Sequence, residues 1–300
     1  AANLTRSVIT FATGVLLARW LGPADYGRMA FLIGTFVAVR QILDAGSSTA
    51  FFTFTSQQLR SRRFHLAFFG WLLFQFSLPA VGIGVLFPTE WIGTIWAGEA
   101  RGLVLLAFAA AFIQNSVWSV VGQAAESQRL TIHVQTIGTL IAAMHFAAML
   151  ALWLLGLLGL YAVMAALVIE YVVASVLVLR RLRYADSNKQ IVDSVTESSG
   201  AGEWVRRYWR YCRPLIPYVA VGFLYEFADR WLLQYFGGSV QQAYYAVGAQ
   251  FASIALIATT SILRIFWKEI AEANQLGDRT RMQALYRRVS RLLYMVGALI

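Results

Sequence analysis

From Val134 to Ile169 the chain runs 36 residues without an Asp, Glu, Lys or Arg, and the one histidine in that run, His145, carries no charge in its neutral form. A single helix of that length would reach about 54 Å, far beyond the ~30 Å of hydrocarbon in a bilayer. The segment must therefore turn back on itself. Gly156-Leu-Leu-Gly159 is where it can do so, because glycine tolerates a tight turn and the run divides there into two span-length pieces. Leu66 to Phe87 and Gly102 to Gly122 are likewise free of charge. Only a helix makes all its backbone hydrogen bonds within one segment, and the alternation of a barrel strand is absent, so these runs are predicted to cross a membrane as helices. With 13% charged residues and a mean hydropathy of +0.60, against roughly 25% charged in a soluble domain, the chain is counted in spans.

The stretch ARWLGPADYGRMAFLIG, 18–34, interrupts hydrocarbon on both sides with Gly-Pro and Asp-Tyr-Gly. It predicts a first span over 4–21, a tight turn over 22–27 and a return helix from 29 to about 54. Further spans are expected near 65–87, 102–122, 134–155, 158–179, 214–236 and 243–266. That makes eight, with RLLYMVGALI starting a ninth. The chain opens on Ala1, so both ends read as truncated. No cleavable signal is apparent, and the first helix is expected to serve as its own targeting element.

Basic residues divide unevenly between the two sets of loops. Eighteen, among them Arg60, Arg129, Arg180, Arg181, Arg206, Arg210 and Arg288, fall on one side, and three, Arg19, Arg28 and Arg101, on the other. The rule that basic loops stay cytoplasmic places the N-terminus inside, in the cell inner (plasma) membrane. The net charge of +10 is then loop topology and attraction to anionic lipid, and nucleic-acid binding is excluded as its cause. Trp20, Trp91, Trp96, Trp204, Trp209 and Trp267 fall near span ends, as an interfacial aromatic belt does. A lone cysteine, Cys212, allows no disulfide within the chain.

The longest loop divides the chain into a first lobe of six helices over 1–182, a cytoplasmic linker over 183–213 and the start of a second lobe over 214–300. In the linker, EWVRRYWRYCRP sets Trp204, Val205, Tyr208, Trp209 and Cys212 on one helical face and Arg206, Arg207, Arg210 and Arg213 largely on the other. That is the pattern of a helix lying in the interface. Beyond it, QYFGGSVQQAYYAVGAQF echoes ARWLGPADYGRMAFLIGTF, which suggests two parallel repeats.

The segments LLARWLGPADYG, QILDAGSS, RPLIPY, DRWLLQYFGG, QAYYAVGAQF and GDRTRMQALYRRVSRLL resemble the polysaccharide transporter branch of the multidrug/oligosaccharidyl-lipid/polysaccharide flippase superfamily, which includes the O-antigen repeat-unit flippases. The resemblance runs in register from the first span to the chain end. One departure is RIFWKEIA, where the pattern has a proline. The resemblance implies an all-α polytopic bundle of the two-lobed MATE-like kind, here the whole first lobe and under half of the second. It also implies a flippase for a polyprenyl-pyrophosphate-linked sugar, and work alongside other polysaccharide-assembly membrane proteins.

The residues themselves supply a site. Polar residues recur on single helical faces: Asn3, Arg6, Thr10 and Thr13 on the first span, Arg40, Asp44 and Ser47 on the second, Asn115, Ser119, Gly122 and Glu126 on the fourth. On the seventh they are Tyr218, Gly222, Tyr225 and Asp229, and on the eighth Ser253, Thr260 and Arg264. A bundle of such helices is expected to enclose a hydrated cavity. Arg6, Arg40 and Arg264, with Asn3 and Thr10, are the candidate substrate-binding residues, since the planar guanidinium matches phosphate oxygens. Arg40 and Asp44, one turn apart, could equally neutralise each other. Arg264 could equally snorkel to head groups. Asp44, Glu170, Glu226 and Asp229 are candidates for gating or for coupling to H+ or Na+, an interhelical hydrogen bond being the other reading of Glu170 and Glu226. Arg230, beside Asp229, could snorkel outward. No cofactor, metal-ligand spacing or catalytic arrangement stands out. Two other readings stay open: a multidrug/cation antiporter of the same superfamily, which would need acids in the first-lobe cavity, and a membrane-embedded polysaccharide polymerase or ligase, which would be expected to carry a larger outer loop.

Overall fold

The computed structural model describes residues 2–57, 62–187, 201–253 and 278–299, all of them without strands. Five helices are long and apolar enough to cross a membrane: Thr5–Asp44, Phe64–Leu86, Arg101–Ser127, Thr131–Leu154 and Leu160–Leu182. Large apolar side chains on their outer surfaces, such as Leu73, Val85, Leu140 and Ile169, are exposed, as suits helices solvated by lipid. The chain divides into two compact units, residues 1–244 and 245–300.

The first helix, α1 (Ala2–Asp44), is helical throughout except at Gly22, where φ is 78° and ψ 163°. Glycine adopts that left-handed geometry without a Cβ penalty, and Pro23 restarts the helix with its φ already set. The two legs fold back on each other. Arg6 and Arg40 are 34 residues apart, about 51 Å along a straight helix, yet both reach residues 116–118. The Arg40 Nε donates to the Ser116 hydroxyl at 3.1 Å, and Arg6 lies across Gly138 beside Trp118. At the far end of the legs Trp20 stacks on Trp153, ring centroids 5.2 Å apart. The hairpin expected from Gly-Pro is therefore present, with the turn confined to one residue and Pro23 to Gly27 already helical.

The return helix does not continue to residue 54 as expected. It stops at Asp44; Ala45 (φ 45°) and Gly46 (φ 80°) turn the chain, and α2 (Ser47–Gln57) starts afresh. The cause is local. One Asp44 carboxylate oxygen accepts from the Ser47 hydroxyl at 2.9 Å, the Ser48 hydroxyl at 2.5 Å and the Ser48 backbone N–H at 3.0 Å, which caps the new helix.

α3 (Arg62–Val81) runs into a π turn at Gly82–Leu86, and a short helix, α4 (Thr89–Ile95), follows. α5 (Arg101–Phe112), a second π turn at Ile113–Val117 and α6 (Trp118–Ser127) form the next span. α7 (Thr131–Leu154) and α8 (Leu160–Ser187) are separated at 155–159, with Gly156 at φ 68°, as the uncharged run requires. The interior is aromatic: Phe36 contacts Trp96 and Phe108, and Phe76 contacts Phe108 and Phe112, all packed with Phe31, Leu32, Val104, Val120 and Met164.

α9 (Ala201–Cys212) leads through Arg213–Leu215 into α10 (Ile216–Leu232), a third π turn at Leu233–Gly237 and α11, described over 238–253. Gly238 has φ 74° and ψ 179°, close to Gly22. The second leg of α1 and α10 pack antiparallel: Gly27 meets Ser239 and Ala243, Gly34 meets Arg230, a Cβ on Gly222 would stand 3.1 Å from the Gln41 side-chain oxygen, and Gly46 meets Leu215. Along this seam Gly27, Gly34 and Gln41 recur every seven residues, the period that keeps one face on a partner helix. The span expected over 214–236 is thus helical, although α10 is not among the five helices above; most of the span expected over 243–266 lies outside the described residues. In the second unit α12 (Arg279–Leu299) has Val289 buried.

Candidate functional site

Two arginines, one from each leg of α1, are held inside the first lobe: Arg40 at the π turn between α5 and α6, and Arg6 on Gly138 of α7. A π turn admits one extra residue per turn, which re-aims the side chains before it by about 100° relative to those after it. Asn115, expected on the wet face with Ser119, Gly122 and Glu126, instead donates its side-chain amide to the Ala111 carbonyl at 2.9 Å. Ser116 and Gln114 do the bridging: Ser116 accepts from Arg40, and the Gln114 amide donates to the Tyr171 hydroxyl of α8 at 3.3 Å. Neither had been singled out in the sequence, because a π turn leaves no local signature.

Arg6 is half-buried. A Cβ placed on Gly138 of α7 would stand 2.9 Å from an Arg6 guanidinium nitrogen and 3.7 Å from the Trp118 ring, and the Arg6 charge acts on Tyr171. Glycine at 138 therefore makes the seat for this guanidinium. No carboxylate of the described residues lies within 4.0 Å of Arg6 or Arg40. Asp44 does not clasp Arg40; its carboxylate is committed to the N-terminus of α2.

The other expected residues are placed less uniformly. Thr10 is exposed, whereas Thr13 is buried with its hydroxyl donated to the Ile9 carbonyl at 2.7 Å. The first-span stripe thus does not share one wet environment. The side chain of Asn3, Arg264 and Thr260 lie outside the described residues. Glu170 of α8 is held by His145 of α7, Nδ1 to Oε2 2.8 Å, with 10% of its side chain exposed. This is the interhelical bond that was one of the two readings. Glu226 and Asp229 are half-buried on α10. Arg230 does not turn outward: its guanidinium fills the slot that Gly34 leaves, so closely that a Cβ on Gly34 would overlap it.

A second polar cluster joins the ends of the helices opposite Arg6 and Arg40. Arg28 grips Glu99 with two hydrogen bonds, Nε to Oε1 2.6 Å and Nη2 to Oε2 2.7 Å, and reaches Asp25 at 2.9 Å. Arg101 donates to the Gly84 and Phe87 carbonyls at 3.0 and 2.9 Å.

The apolar face of the linker helix α9 is divided between contacts to the bundle and exposed side chains. Tyr208 donates to the Ser47 carbonyl, Tyr211 lies 3.3 Å from the Thr53 hydroxyl, and the Tyr208 ring meets Phe54 and Phe68. Val205, Trp209 and the four arginines 206, 207, 210 and 213 stay exposed. Burial raises the Tyr208 hydroxyl above its ordinary range, and burial, with the Asp44 charge second, pushes the Cys212 thiol up to about 11.

Two concavities formed by described residues lie away from the arginine pair. One is lined by Leu16, Arg19, Trp20 and Trp153 and the other by His133, Ile137, Leu177, Arg180 and Arg181. Neither includes Arg6 or Arg40; Arg40 contacts Ser116 of the fourth span, and Arg6 lies on Gly138 of the fifth. Among the described residues no group of three or more His, Cys, Asp or Glu could hold a metal ion. No family model, curated protein or solved structure matches the chain.

Proposed function

We propose that this protein flips a polyprenyl-pyrophosphate-linked oligosaccharide from the cytoplasmic to the outer leaflet of the inner membrane. In this reading it is a two-lobed transporter of the polysaccharide-flippase kind, and no covalent bond is made or broken. The observation that carries the proposal is that Arg6 and Arg40, from opposite legs of one hairpin, are both held within the first lobe, on Gly138 and Ser116, with no ion-paired carboxylate among the described residues. Guanidinium groups held within a membrane bundle are costly unless something anionic uses them, and phosphate oxygens suit the planar guanidinium fork.

The two-lobe architecture draws on the hairpins. Gly22 and Gly238 share one backbone conformation, and the tips pack together through Gly27 and Ser239, as parallel repeats meeting about a pseudo-two-fold would. This reading counts the two legs of α1 as separate spans, adds α10 and α11 to the others, and takes the N-terminus as cytoplasmic. The seam from Gly27 to Gly46 against α10 and α11 is closed, so cargo would reach the arginines only when the lobes part. Arg230, seated on Gly34 across that seam, is a third guanidinium placed to follow the anion.

One observation favours the cation-antiporter reading: Glu170, paired with His145 inside the first lobe, is an acid that a proton-coupled antiporter could use. The test separates the two. Arg6→Gln and Arg40→Gln, each made in the full-length protein, should abolish surface polysaccharide at unchanged membrane abundance and leave lipid-linked intermediate on the cytoplasmic leaflet. Normal surface polymer in both variants would refute the proposal, and resistance to a cationic drug lost in Glu170→Gln would support the antiporter.

A further inference from the structure

At the end of the bundle away from Arg6 and Arg40, a groove of about 380 Å³ is lined by Leu16, Arg19 and Trp20 of α1 and by Trp153 of α7. The Trp20 and Trp153 rings stack with centroids 5.2 Å apart and planes 14° from parallel, so indoles from two helices make one wall. Leu16 lies one turn from Arg19 and Trp20 on the same helical face. It sits about 5–6 Å deeper along the helix, because Gly22 turns the chain just beyond Trp20. Trp153 is the last residue but one of the span Thr131–Leu154. The groove therefore runs from the level where the spans stop toward the level of the hydrocarbon. Leu154 and Leu155, next along the chain, are exposed, as suits side chains that meet lipid.

Three arginines fall in the loops on this side, and the structure uses them differently. Arg28 holds Glu99 and Asp25, and Arg101 holds the Gly84 and Phe87 carbonyls. Arg19 instead lines the groove and is exposed there. We infer that this groove binds one anionic phospholipid of the leaflet at that end, with its phosphate on Arg19 beside the two indoles and the start of an acyl chain along Leu16. A guanidinium takes phosphate oxygens through charge-assisted hydrogen bonds, and indole rings settle at head-group depth. The step of one helical turn from Arg19 to Leu16 is the step between a lipid phosphate and its first methylenes. A soluble anion would have no use for the apolar half. No carboxylate lines the groove among the described residues, so a negative head group meets no like charge, whereas a zwitterionic one brings its own cation toward Arg19. The volume falls within the roughly 300–1,000 Å³ of small-ligand sites. The site is separate from Arg6 and Arg40 and does not depend on what the protein transports.

The test is photo-crosslinking of the full-length protein in phosphatidylcholine nanodiscs. These are doped in parallel with phosphatidylglycerol or phosphatidylcholine carrying a diazirine near the glycerol end of one acyl chain, and labelled peptides are read by mass spectrometry. The phosphatidylglycerol probe is expected to label residues 16–20 and the end of α7 around Trp153 well above the phosphatidylcholine probe. Arg19→Gln should lower that labelling about tenfold, the loss of one charge-assisted contact. Arg19→Glu, at the same exposed position, should abolish it, while labelling elsewhere on the bundle stays unchanged in both variants. Equal labelling by the two probes, undiminished labelling in either variant, or full displacement by glycerol phosphate at the probe's concentration would overturn the assignment. The readout is lipid at one groove, so its failure leaves the transport proposal standing, and failure of transport leaves this one.

Discussion

Replacing Gly27 by alanine tests the closed seam between α1 and the α10–α11 hairpin. A Cβ built on Gly27 falls onto the Ser239 carbonyl oxygen, with the carbonyl carbon 2.6 Å and the Ala243 nitrogen 3.1 Å away. All three are backbone atoms, so no rotamer change relieves the contact and the helices must separate. Overpacking of this kind costs about 3 kcal/mol at the upper end of its range, while Gly→Ala in a helix returns about 1 kcal/mol. The net loss is about 2 kcal/mol. Gly70 of α3 is the control, because nothing lies within 4 Å of a Cβ there, and Gly70→Ala should gain about 1 kcal/mol. Thermal unfolding of the two variants in one detergent should then differ by on the order of 6 °C or more. If Gly27→Ala melts with Gly70→Ala, the two hairpin tips are not in contact and the seam argument fails.

The remaining predictions concern the ends of the helices. Glu99→Gln removes the charge from a carboxylate that is 6% exposed and bound by Arg28 through two hydrogen bonds; the same melting assay should show a loss of about 1–2 kcal/mol. Asp25→Asn, at a side chain 46% exposed, should change stability by less than about 0.5 kcal/mol. Tyr208→Phe removes the hydrogen bond to Ser47 and should increase hydrogen exchange of α9 amides while α7 amides stay unchanged. With its thiol at about 11 instead of 9.0, Cys212 holds about 100-fold less thiolate near pH 7.5. Its alkylation by iodoacetamide should be slower than that of the unfolded chain by at least that factor, and should rise as the pH approaches 11.

What could be read in advance were features written in contiguous residues. The turn at Gly156 follows from an uncharged run too long to cross once, that at Gly22 from Gly-Pro and Asp-Tyr-Gly interrupting hydrocarbon, and the single-face arginines of α9 from a period of 3.6. The break after Asp44 was carried by DAGSS, which holds a capping aspartate and a glycine able to take φ 80°, but an apolar stretch on either side masked it. Ser116 and Gln114 were missed because the π turn rephases the helix, and a wheel drawn through Asn115 and Glu126 assumes a constant period. Arg230 was missed for a different reason. Its seat exists only because Gly34, 196 residues earlier, comes to lie beneath it, and no local pattern reports that. The chemistry of Arg6 was legible as an arginine without a nearby acid, whereas its seat on Gly138 required the packing of α1 on α7.

The most direct measurement of the central claim is transfer of a fluorescent polyprenyl-diphosphate sugar across proteoliposomes of the full-length protein, comparing the native chain with an Arg6→Gln, Arg40→Gln double variant. Two charge-assisted contacts to the diphosphate predict a fall in transfer of at least about 100-fold. Transfer at the native rate by the double variant would show that these guanidiniums serve only to pack the first lobe.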